Sequence, residues 1–136
     1  MKIVINKCYG GFGLSHEGKM HYAKLKGLTL HVYVDDRRTK LGYKPAPKDV
    51  SSIASYSLMY STVVVKTKKD LDDGYWDYGD IPRDDPHLVQ TVEDLGDKAN
   101  GSHAKLRVVE VPDDVKWEVE EYDGMEWVAE VHQTWG

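Results

Sequence analysis

The chain has 136 residues, of which 40% are hydrophobic and 30% charged, and a formal net charge of −5. That is enough for a single soluble domain with a buried core, read here as residues 1–136, and the acidity argues against general nucleic-acid binding, which favours a basic surface. A single cysteine, Cys8, excludes an internal disulfide, and no apolar run approaches the roughly 18 residues that a membrane helix needs.

The opening stretch Lys2–Cys8 (KIVINKC) alternates as a strand and leads directly from Met1, so no secretory signal is expected. Gly10-Gly11-Phe12-Gly13 follows. Ser15 then suits a helix N-cap, Glu17 the first turn and Gly27 the stop, which predicts a helix over 15–26. Leu28–Val34 (LTLHVYV) alternates cleanly and reads as a second strand. The polar stretch Asp35–Ser55, with Arg37-Arg38, Gly42, Pro45 and Pro47, reads as a long surface loop. Tyr56–Lys66 is rich in aromatic and β-branched residues and is expected to be a third strand.

Lys68–Asp85 holds seven aspartates around the aromatic group Tyr75, Trp76 and Tyr78, and is read as a second long loop. Asp85-Pro86 then opens a helix, with Leu88, Val89, Val92, Leu95 and Ala99 at helical spacing and Asn100-Gly101 as its stop. Leu106–Val111 is a further strand, cut by Pro112. The tail pairs Val115–Tyr122 with Glu126–His132 around Asp123-Gly124. A three-residue loop with Gly124 in a bulge aligns Val115, Trp117 and Val119 with Trp127, Ala129 and Val131, and is preferred over a two-residue turn. The spacing of Trp127, Val131 and Trp135 also fits a helix. The expected class is α+β: a mixed, mainly antiparallel sheet of about five or six strands, two helices on one face and a C-terminal β-hairpin.

Charge is unevenly placed. Residues 1–50 hold ten Lys/Arg against four Asp/Glu, and residues 51–136 hold eight against nineteen. One surface can therefore attract anions while another repels them. The sequence Tyr9-Gly10-Gly11-Phe12, between a strand and a capped helix, suits an anion held by backbone N–H groups and a helix N-terminus. Its glycine spacing matches neither dinucleotide nor P-loop patterns, and a bend needing positive φ explains the glycines equally well. Lys7 and Ser15 add a charge and a hydroxyl. Arg37 and Arg38 suit bidentate phosphate contacts, Trp76 suits stacking, and Arg83 suits a polar ligand.

Several chemistries lack their residues. His16 and His21 are five apart, about 140° around a helix, and cannot share a zinc from it. The aspartates from Asp70 to Asp77 resemble a calcium loop, but no acid closes it, so no metal and no cofactor is expected. No nucleophile elbow and no Cys/His pair with local support is present.

The segments KCYGGFGLS, DDPHLVQTVEDLGDKANG, VVEVPDDVKWEVEEYDG and VAEVHQTW resemble a family of small, uncharacterised bacteriophage-encoded proteins. The likeness covers roughly half of the chain, while Asp35–Asp80 departs from it. It implies an accessory protein in the host bacterial cytoplasm. Small phage accessory proteins often disarm host defence, in some cases by sequestering nucleotide messengers. The expectation is thus a non-catalytic, homo-oligomeric binder of a nucleotide-derived signal, with Lys7, Tyr9, Gly10, Gly11, Phe12, Ser15, Arg37, Arg38, Trp76 and Arg83 in its site. The alternative is an inhibitor that docks its acidic half on a basic host defence protein or nuclease.

Overall fold

Apolar residues flanked by polar turns set the first element, β1 (Lys2–Asn6), in the computed structural model, which describes residues 1–131. Ile3, Val4, Ile5 and Asn6 are all buried, so β1 is an interior strand without a solvent face. Ser15 caps α1 (His16–Lys26): its Oγ accepts from Gly18 N–H at 2.9 Å and donates to Lys98 O at 2.6 Å. Then come β2 (His31–Asp35), β3 (Tyr43–Pro45), β4 (Leu58–Ser61), α2 (Lys68–Gly74) and β5 (Tyr75–Trp76). The remaining elements are α3 (Pro86–Leu95), β6 (Leu106–Glu110), β7 (Trp117–Tyr122) and β8 (Met125–Glu130).

The class is α+β, every strand pairing is antiparallel, and the described chain closes on a β-hairpin. Among the described residues the strands divide among three sheets, in the orders β1-β6, β3-β2-β4-β5 and β7-β8. Contacts group the chain into two units, Met1–Tyr22 with Ile81–Gly136, and Ala23–Asp80.

In the first unit β1 pairs with β6 from Lys2↔Glu110 to Asn6↔Leu106. Ile3, Ile5, Tyr22, Leu88 and Leu106 are almost fully buried there, each contributing about 1.5–3 kcal/mol of hydrophobic stabilisation. Asp85 caps α3 as the sequence indicates, accepting from His87 N–H at 2.8 Å and Leu88 N–H at 3.2 Å with Pro86 in the first turn. Its other oxygen accepts from Tyr22 Oη at 3.0 Å. The helix stops at Leu95, because Gly96 takes φ 58°, and a short 3-10 turn completes the path to Ala99.

In the second unit Tyr33, Met59 and Val65 form the core, with Leu41, Tyr43 and Leu71 packed against it. Two corrections to the sequence reading arise here. The Asp35–Ser55 loop contains a strand, β3, paired to β2 through Tyr33↔Pro45, Val34↔Lys44 and Asp35↔Tyr43. The aspartate-rich segment opens with a helix, α2, rather than a loop. Thr67 and Asp70 form a capping box, Thr67 Oγ1 accepting from Asp70 N–H at 3.3 Å and the Asp70 carboxylate from Thr67 N–H at 3.0 Å. Correspondingly β4 ends at Ser61 instead of running to Lys66.

The turn before β3 is tied by Asp36. Its carboxylate accepts from Arg38 N–H at 3.0 Å, from Arg38 Nε at 3.1 Å and from Arg38 Nη2 at 3.3 Å, and lies 3.5 Å from Lys44 Nζ. The hydrogen bonds from Arg38 hold the Asp36 carboxyl at about 2, below its ordinary 3.8. The folded state thus prefers the anion, so this stabilisation is complete above the ordinary value and is lost as pH falls from there through about 2. Asp36→Asn should therefore lower the urea midpoint at neutral pH, and the difference from the parent should shrink toward zero near pH ~2. A difference that stayed constant over that range would refute the linkage.

The hairpin requires a third correction. Tyr122 faces Met125 across a two-residue turn in which Asp123 has φ 51° and Gly124 φ 89°, both positive, as in a type I′ turn. The preferred bulged register is not adopted: Trp117 faces Glu130, Val119 faces Val128 and Glu120 faces Trp127. What the shift accomplishes is to turn Glu126 inward, where it is 6% exposed, and Trp127 outward. Residues 132–136, and with them the His132 end of the expected strand and the Trp135 of the helical alternative, lie outside the described residues.

Candidate functional site

Where β1 ends, the chain is stapled to two distant segments by the buried amide of Asn6. Its Nδ2 donates to Cys8 O at 2.8 Å and to Gly124 O at 2.7 Å, while Oδ1 accepts from Lys105 N–H at 2.8 Å. Its backbone N–H donates to Glu126 Oε1 at 2.8 Å. A fully satisfied buried amide of this kind fixes position, because any displacement leaves several polar groups without partners.

The glycines make that approach possible. A Cβ on Gly10 would lie 1.9 Å from His103 O, one on Gly101 2.9 Å from Gly13 C, and one on Gly124 2.6 Å from Gly11 N. Gly11 itself adopts φ 105°. The glycine loop therefore packs backbone to backbone against the hairpin turn and the 101–104 turn.

Three of the expected site residues are engaged internally. Ser15 caps α1, and Ser15 N–H also donates to Ala99 O at 2.9 Å. The Arg83 guanidinium lies 3.7 Å from the centre of the Phe12 ring, donates from Nη2 to Glu126 Oε2 at 2.8 Å, forms a second bond to Glu126 Oε1 and donates to Val4 O at 3.3 Å. Phe12 and Arg83 thus face each other and the buried Glu126.

Tyr9, Gly10 and Lys7 remain at the surface. Cys8, Tyr9 and Gly10 form one wall of a shallow cleft of about 610 Å³, and Asp97, Asn100, Ser102, His103, Ala104 and Lys105 form the other. Tyr9 is 62% exposed. Lys7 N–H donates to Lys105 O at 2.8 Å, continuing the β1–β6 ladder, so the two lysines stand at facing positions. Asp97 carries the opposite charge but is paired to Arg107 at 3.1 Å, and that hydrogen bond holds its carboxyl below the usual range. The Cys8 thiol donates to His103 O at 3.0 Å.

Arg37, Arg38 and Trp76 belong to the 23–80 unit and do not line this cleft. Arg37 is exposed, Arg38 is held by Asp36, and Trp76 meets Tyr60 edge-on with ring centres 6.3 Å apart. The far wall was missed from the sequence, where Asn100 reads only as the stop of a helix. The one local signal there is the 101–104 turn, since such a turn projects polar groups without revealing what it faces. Among the described residues no group of three His, Cys, Asp or Glu is placed to hold a metal ion, and no helix is long and apolar enough to cross a membrane. No protein-family model, curated protein or solved structure gives a significant match to the chain.

Proposed function

We propose that the protein binds a small anionic ligand with an aromatic base, a nucleotide-derived signal, in the Tyr9–Lys105 cleft and releases it unchanged. The observation that carries this reading is an exposed aromatic ring, Tyr9, and a lysine, Lys105, on the two walls of one cleft, with Lys7 opposite Lys105 on the strand ladder. A base stacks on the ring, Lys105 faces its phosphates, and Asn100, Ser102 and His103 supply polar contacts from the other wall. The resemblance of KCYGGFGLS and VAEVHQTW to small bacteriophage proteins supports the role of such binding as sequestration of a host defence messenger. A non-catalytic sponge needs affinity and no general base.

Calorimetry with cyclic nucleotides, cyclic dinucleotides and ADP-ribose derivatives tests it. Tyr9→Ala should weaken the best ligand by about 1–3 kcal/mol, the usual worth of one stacked base. Lys105→Ala should weaken it and flatten its salt dependence, whereas Arg37→Ala should leave it unchanged. Absence of binding heat with every ligand would overturn the reading. Mass spectra showing a chemically altered ligand would overturn its non-catalytic part.

A further inference from the structure

The two-residue register of the hairpin gives β7 and β8 two unlike faces. Trp117, Val119, Val128 and the buried Glu126 point inward. The opposite face carries Glu118, Glu120, Tyr122, Met125, Trp127 and Ala129. There Tyr122 is 72% and Trp127 41% exposed, and Trp127 Nε1 donates to Glu120 Oε2 at 3.1 Å. Of the glutamates on β7 and β8, Glu118 and Glu120 lie on this face, while Glu121 and Glu130 share the other face with the buried Glu126.

The geometry points to this outer face as a docking surface for a lysine- and arginine-rich segment of another protein. Glutamates on β7 are explained by protection of an edge strand, since charge discourages further strand pairing. Edge protection does not call for two exposed aromatic rings set among them. Aromatic faces flanked by carboxylates suit guanidinium and ammonium groups, which gain a cation–π contact and an ion pair at once. The same carboxylates repel a second copy of this chain, which would bring Glu118 and Glu120 against their own counterparts, and they repel nucleic acid.

The test is fluorescence anisotropy of a dye-labelled octa-arginine peptide titrated with the full chain at low and at physiological salt. Binding is expected at low salt, weakening steeply as salt rises. Tyr122→Ala and Trp127→Ala, which leave the net charge unchanged, should each weaken it about three- to tenfold, and Trp127→Phe should keep most of it. Asp72→Asn, in the other unit, and Tyr9→Ala, in the cleft, should bind as the parent does, which separates this surface from the ligand site. Unchanged circular dichroism of Tyr122→Ala, a largely exposed position, guards against a folding effect. No binding at low salt, aromatic variants that bind like the parent, or an equal loss in Asp72→Asn would each overturn the proposal. So would self-association in sedimentation that Trp127→Ala abolishes, because it would seat a second copy on the face.

Discussion

Replacing Arg83 by methionine should lower the stability of the fold by about 3–5 kcal/mol, measured as the free energy of urea unfolding. The reason lies in Glu126, which is 6% exposed and has Arg83 and the Asn6 N–H as its partners. Methionine fills a similar volume but removes two charge-assisted hydrogen bonds, so the carboxylate stays buried with its charge uncompensated. The bond to Val4 O and the guanidinium stacked on Phe12 go with them. Arg83→Lys should fall between parent and methionine variant, because an ammonium cannot bridge both oxygens and cover a ring at once. Converting the pair together, Arg83→Met with Glu126→Met, should recover much of the loss by removing both charges. The alternative role is separable: if Arg83 contacted a ligand instead, Arg83→Met would unfold at the parent's urea concentration and lose binding alone.

Gly10→Ala should cost about 3 kcal/mol in the same assay, at the upper end for overpacking, since its Cβ would stand 1.9 Å from His103 O and 2.5 Å from His103 Cβ. Backbone opposes it there, and the 101–104 turn is held in turn by Gly101 N–H donating to Gly13 O at 2.8 Å and Ala104 N–H to Gly101 O at 3.1 Å. Relief requires moving the far wall of the cleft, so ligand binding should fall along with stability. Gly11→Ala is the informative contrast. No atom lies within 4 Å of its added Cβ, and the burden is conformational, φ 105°. Its cost should be about 1–2 kcal/mol. A Gly10→Ala variant milder than Gly11→Ala would contradict the packing account and return the loop to a simple bend.

The local signals in the chain were readable where one segment contained its own reason. Asp85-Pro86 announced α3, Ser15 announced α1, and Asp123-Gly124 announced the hairpin, because caps and turn residues act on backbone groups a few positions away. The capping box at Thr67 and Asp70 was of the same kind, yet it lay within a run of aspartates that resembled solvated loop. Leu71, packed on Tyr33, Met59 and Val65, gives that helix its apolar anchor, and nothing nearby in sequence reveals it.

Register and site were of another kind. Matching apolar residues across the hairpin favours Trp127 inward, while the observed pairing turns Glu126 inward because a guanidinium waits there, 43 residues earlier in the chain. In the same way, the cleft joins Cys8–Gly10 to residues 97–105, and Asn6 bonds to residues 99 and 118 positions away. By itself, then, the sequence determined the α+β class, the antiparallel hairpin and the two capped helices, through interactions that reach no farther than a turn. The tertiary structure decided which side of each strand is buried, that Arg83 belongs to the interior, and that Tyr9 and Lys105 line one cleft. Burial energy and charge pairing depend on what stands opposite, and only the folded chain supplies that.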